Sequence, residues 1–142
     1  LSHSSEFDFL AAPLAGQALA PSGSNLVLAE WTASGTSPDQ TQRQLIAPLH
    51  LHHYDDEAWY ILEGTLGFQI GDAAIEASAN DAVMVPRGTA HTYWNPKPEP
   101  ARYLIIMTAQ ISGLIDAIHA ADKRDPESMK QLFERYGSEL LE

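Results

Sequence analysis

The chain has 142 residues, room for one domain with a packed core and too few for two. Its 8 Lys and Arg stand against 19 Asp and Glu, and the net charge of -11 argues against nucleic-acid and membrane-surface roles, since phosphate backbones and anionic lipid are repelled. Cysteine is absent, which excludes disulfides, zinc-thiolate sites, iron–sulfur clusters and a cysteine nucleophile, so six histidines and the carboxylates are left for any metal chemistry.

Residues 1–24 read as an N-terminal arm. They show neither an initiator Met nor a charged region followed by a long apolar stretch, so they do not read as a signal peptide, and with no cysteine the expected compartment is the cytoplasm. His3, among serines at a loose chain end, is given no role. No apolar run approaches the roughly 18 residues that would span a bilayer.

Residues 25–110 show short apolar or alternating runs broken by turn residues, the pattern of an all-β barrel. The expected strands are Asn25 to Trp31, Arg43 to His52, Ala58 to Leu62, Thr65 to Ile70, Ala73 to Glu76, Ala82 to Val85, His91 to Trp94 and Arg102 to Met107. Eight such strands predict a jelly roll. Glu63-Gly64, Gly71-Asp72 and Asn80-Asp81 supply hairpin turns. The alternating prolines of Asn95 to Pro100 predict a rigid loop at one end of the barrel.

Beyond residue 110 the period becomes helical, with Ile111, Leu114, Ile115 and Ile118 on one face of a helix expected over Ser112 to Ala121. Asp125 and Pro126 open a second helix, Met129, Leu132, Phe133 and Tyr136 form its apolar stripe, and Gly137 stops it. Residues 111–142 are too few for a core of their own and are expected to pack on the barrel. His119 reads as a surface residue near a helix C-terminus.

The chemistry concentrates in two segments. His50 and His52 are two apart on one strand, so both rings point to the same face. Glu57 lies far enough along to approach the same point from the next strand, and His91 follows a turn in a second segment. His50, His52, Glu57 and His91 are the candidate ligands of one divalent metal. His53 has the opposite parity and reads as a rim residue.

These segments resemble the two motifs of the cupin superfamily, G-x5-H-x-H-x3 or x4-E-x6-G and G-x5-P-x-G-x2-H-x3-N. His50, His52, Glu57 and Gly64 fall on the first, and Pro86, Gly88, His91 and Asn95 on the second. Gln44 and Asn80 replace the leading glycines, and Asn also tolerates a left-handed turn. The resemblance implies an all-β double-stranded β-helix, or jelly-roll barrel, with a short C-terminal helical tail. It also implies a compact single-domain member similar to the quercetin dioxygenase branch, and a homodimer, the arm up to Trp31 being the candidate exchanging segment.

Imidazole with carboxylate suits Fe, Mn, Co, Ni, Cu or Zn as divalent ions without choosing among them. Four protein ligands leave positions for substrate, and an enol or phenol held there loses its proton more readily, with Glu57 the candidate catalytic acceptor. Trp59 shares the parity of Glu57 and Tyr93 that of His91, making both candidate substrate-binding residues. The expected activity is a metal-dependent dioxygenase acting on a small enolisable or phenolic compound. A non-catalytic small-molecule sensor and a metal-dependent isomerase or epimerase are the alternatives. Residues before Asp116 hold 12 of the 19 acidic and 4 of the 8 basic side chains, a field that draws cations and disfavours strongly anionic ligands.

Overall fold

The computed structural model describes residues 9–141, and His3 lies outside them. Ten strands and two helices follow in order: β1 (Ala18–Leu19), β2 (Leu26–Ala33), β3 (Leu45–His52), β4 (Glu57–Glu63), β5 (Thr65–Ile70), β6 (Ala73–Ser78), β7 (Ala82–Val85), β8 (His91–Trp94), β9 (Ala101–Thr108), α1 (Ala109–Ala120), α2 (Pro126–Arg135) and β10 (Ser138–Leu140). The strands form two five-stranded sheets, ordered β1-β2-β9-β4-β7 and β10-β3-β8-β5-β6, in which every pairing is antiparallel.

All eight strands expected from the sequence are present, with ends shifted by a few residues. The two additional strands, β1 and β10, are two and three residues long, too short for a period of two to register in the sequence. α1 begins three residues before the expected Ser112, because Thr108 caps it by accepting a 3.2 Å hydrogen bond from the Ile111 amide. α2 has the expected cap, with Asp125 accepting from the Ser128 amide and Pro126 opening the helix. Asn80, in place of a motif glycine, takes φ 75°, the left-handed turn its residue type tolerates.

Side chains alternate along β4, with Glu57, Trp59 and Ile61 buried, and along the end of β3, with His50 and His52 buried between half-buried Leu49 and Leu51. The inward faces enclose one core that includes Trp59, Ile61, Leu66, Phe68, Tyr93, Tyr103 and Ile105. Its aromatic members interlock: Phe68 stacks on Tyr93 with ring centroids 5.6 Å apart, and Trp59 meets both rings edge-on at 5.3 and 5.4 Å. Such pairs contribute about 0.5–1.5 kcal/mol each beyond area burial and hold the Trp59 ring in one orientation.

The tail closes one end of the barrel. Ile111 joins the barrel core, while Leu114, Leu132 and Phe133 form a second cluster between the helices and the barrel mouth. β10 returns along β3, pairing Ser138 with His52 and Leu140 with His50. No helix among the described residues is long and apolar enough to cross a membrane.

Candidate metal centre

Three of the four candidate ligands stand on one sheet and the fourth on the other. β3 carries His50 and His52, β8 carries His91 directly opposite His50, and β4 brings Glu57 across the barrel. One donor atom from each lies within 4.8 Å of the others, and all four side chains are buried. Glu57 Oε1 is 3.2 Å from His52 Nε2 and 3.3 Å from His91 Nε2. Two metal–ligand bonds of about 2.1 Å at right angles separate their donors by about 3 Å, so these contacts have the length of a coordination edge.

The outer ring nitrogens are held by acceptors or by a hydroxyl. His50 Nδ1 donates to the Pro48 carbonyl at 2.6 Å, and His91 Nδ1 to the Thr89 carbonyl at 3.0 Å. A carbonyl only accepts, which puts the proton on Nδ1 and leaves the Nε2 lone pair facing inward, the form that ligates metal. His91 could bond both Thr89 and Glu57 only as an imidazolium, whereas a cation shared by Nε2 and Oε1 satisfies both groups with the ring neutral. The donor set therefore fits a divalent transition metal.

The electrostatics agree. Burial, reinforced by the neighbouring His91 and His52, lowers the His50 pKa to about 4, so this ring stays neutral and available near neutral pH. Burial works to raise the Glu57 pKa, but the close approach of the His52 and His91 rings to its Oε1 outweighs it and holds the carboxyl at about 2. A carboxylate this acidic supplies charge and a ligand oxygen, and it accepts a proton only once those contacts loosen.

His52 is held differently, its Nδ1 lying 2.7 Å from Ser138 Oγ of β10, where both residues are buried. Nothing in the sequence marks Ser138 for this place, because its strand forms only through pairing with β3. Partners of ligating imidazoles commonly contribute tenfold or more to metal affinity. Ser138→Ala is accordingly expected to weaken metal binding about 10- to 100-fold with the fold intact, as measured by equilibrium dialysis against a chelator-buffered metal series.

Beside the four donors lies a cavity of about 140 Å³. Trp59 and Tyr93 line it, and the helical tail contributes Ile111, Leu114, Ile115 and Phe133. Phe133 stands edge-on to the His50 ring at 5.6 Å. The tail thus forms one wall of the cavity, a placement its helical period does not reveal. His119 is exposed in the last turn of α1, yet it lines the mouth of this cavity beside Trp31 and Ile46. His53 points away and pairs with Glu139 at 3.3 Å, the rim role its parity suggests.

The motif residues that hold no donor position backbone. Gly88 N–H donates to the His52 carbonyl at 2.7 Å, and Asn95 Nδ2 donates to the Glu99 carbonyl at 2.8 Å while its Oδ1 accepts from the Lys97 amide. Residues 42–107 match the sequence profile of the family described as Cupin domain.

These residues carry the cupin fold. The paired antiparallel sheets are its double-stranded β-helix, with the helical tail added at the C-terminal side. Oxidoreductase iacF of Pestalotiopsis fici is 36% identical over 76 residues, covering 53% of this chain and 36% of that protein. Mannose-1-phosphate guanylyltransferase 2 of Escherichia coli O157:H7 is 28% identical over 75 residues, covering 53% of this chain and 16% of that protein. The chain therefore spans well under half the length of either curated relative. The crystal structure of a cupin protein from Bacteroides fragilis superposes with a TM-score of 0.50 at 16% identity, over 60% of this chain and 66% of that one, a likeness of fold.

Proposed function

We propose that this cupin is a metal-dependent dioxygenase acting on a small enolisable or phenolic compound about one ring in size. The observation that carries the reading is the four-donor cluster, three of whose residues, His50, His52 and Glu57, line a cavity of about 140 Å³ walled mainly by apolar side chains. A cavity of about 150 Å³ accommodates benzene, whereas drug-sized ligands occupy about 300 Å³ or more. That size favours catechols and short β-diketones over the three-ring flavonols suggested by the quercetin dioxygenase branch. The name of the 36% identical relative, an oxidoreductase, is consistent with this class.

A divalent transition metal, when bound, supplies Lewis acidity toward an enol or phenol oxygen and, if redox-active, a route for the electrons that O2 takes from the substrate. His50, His52 and His91 present Nε2 to it, and Glu57 balances its charge. Glu57 is also the carboxylate placed to receive the substrate proton when its contacts to His52 and His91 loosen. Ile111, Leu114 and Phe133 keep water from the reacting atoms and narrow the cavity to planar, compact ligands.

The test is oxygen uptake by protein loaded separately with Fe, Mn, Co, Ni or Cu, offered catechol, acetylacetone and a flavonol. Uptake with catechol or acetylacetone and none with the flavonol is the expected result. Turnover without oxygen consumption would replace this reading by an isomerase, and tight binding without turnover by a sensor.

A further inference from the structure

Trp59 is 1% exposed and lines the cavity beside the four donors, yet its indole Nε1–H has no hydrogen-bond partner. The indole packs edge-on against the Tyr93 ring, with centroids 5.4 Å apart. Tyr93 Oη in turn lies 3.1 Å from Tyr103 Oη, with both rings buried. Phenols ordinarily ionise only near about pH 10, so both hydroxyls carry their protons at neutral pH.

Counting protons shows what this wall lacks. It holds three donor hydrogens, one on each side chain, and the two hydroxyls cannot donate to each other at once. At least one donor therefore always needs an acceptor from outside the trio. When Tyr103 donates into Tyr93, the Tyr93 hydroxyl and the Trp59 N–H both need an acceptor from outside the trio. A ligand that displaces solvent from this wall without supplying an oxygen leaves a buried donor unpaired, which is costly.

We infer that Trp59 and Tyr93, backed by Tyr103, form an acceptor-binding subsite, so that the ligand carries a third oxygen besides those reaching the metal. This rests on the proposed metal-dependent reading of the cavity. The Trp59 ring packs edge-on against the His91 ring, with centroids 5.9 Å apart, so this wall adjoins the candidate ligands. The ligand class becomes a compact ring or diketone with three neighbouring oxygens, in preference to a two-oxygen chelator.

Catechol and pyrogallol differ by that one oxygen and serve as probes. With protein loaded with redox-inert zinc and kept anaerobic, calorimetric titration is expected to give pyrogallol about tenfold tighter binding than catechol. In Trp59→Phe the ratio of the two affinities falls to within about twofold, and Tyr93→Phe provides the second variant if that one fails to fold. In the wild type, the Trp59 indole N–H resonance moves with pyrogallol and stays with catechol. Equal affinities in the wild type, or a preference that survives both substitutions, would overturn the subsite while leaving the metal reading intact. If zinc does not bind, the metal reading fails separately. The probes are then added to metal-free protein, where a Trp59 resonance indifferent to pyrogallol overturns the subsite and a selective shift supports it.

Discussion

Replacing His91 by Ala is expected to lower metal affinity by about two orders of magnitude while the barrel stays folded. Structural zinc sites with four protein ligands bind with about 10–16 kcal/mol, and on that scale one ligand contributes about 3 kcal/mol, or roughly a hundredfold. His91 is the ligand for which this figure should hold most cleanly. It is 1% exposed on β8, and its neighbours in the ladder, His50 and Ile70, bond through backbone that the substitution leaves in place. Removing the ring also relieves part of the repulsion that lowers the His50 pKa, which offsets some of the lost packing in the metal-free state. Metal content after dialysis and the far-ultraviolet circular dichroism spectrum check both halves of the expectation. An unchanged metal affinity in the variant would exclude His91 as a ligand.

The second large effect is acid sensitivity of the metal-free protein. His50 has a folded pKa of about 4 against 6.5 when unperturbed, because burial and its histidine neighbours disfavour the charged ring. Above pH 6.5 the ring is neutral in both states and contributes no pH dependence. As pH falls through 6.5 the unfolded chain takes up a proton that the folded chain refuses. Stability therefore falls until about pH 4, by about 3 kcal/mol in all. Glu57 extends the decline, since its stabilising contribution is complete above 4.5 and is lost as pH falls toward about 2. Urea midpoints at pH 7 and 4.5 are expected to differ strongly in the wild type and much less in His50→Gln. Equal midpoints for the wild type at the two pH values would contradict the burial of a neutral imidazole.

The strand parity of His50 and His52, and that of Glu57 with Trp59, could be read directly because a period of two is a local property of the chain. The same holds for the caps of α2, where Asp125 and Pro126 act within four residues. What stayed hidden depends on contacts between distant segments. Ser138 reaches His52 only because a three-residue strand pairs with β3. Tyr103 becomes the partner of Tyr93 only when β9 and β8 face each other across the barrel. The amphipathic period of α1 and α2 predicted that they pack, but not that Phe133 would stand against a candidate ligand. Cavity size was equally invisible, and it is the feature on which the proposed preference for a one-ring compound rests.

A single cation held by His50, His52, Glu57 and His91 underlies every functional expectation above. Metal-edge X-ray absorption on protein equilibrated with one equivalent of its native-host metal tests this most directly. The predicted spectrum has imidazole scattering from three rings and an oxygen shell, and the imidazole contribution drops by one ring in His91→Ala. A spectrum of oxygen and water ligands alone, identical in wild type and variant, would contradict it.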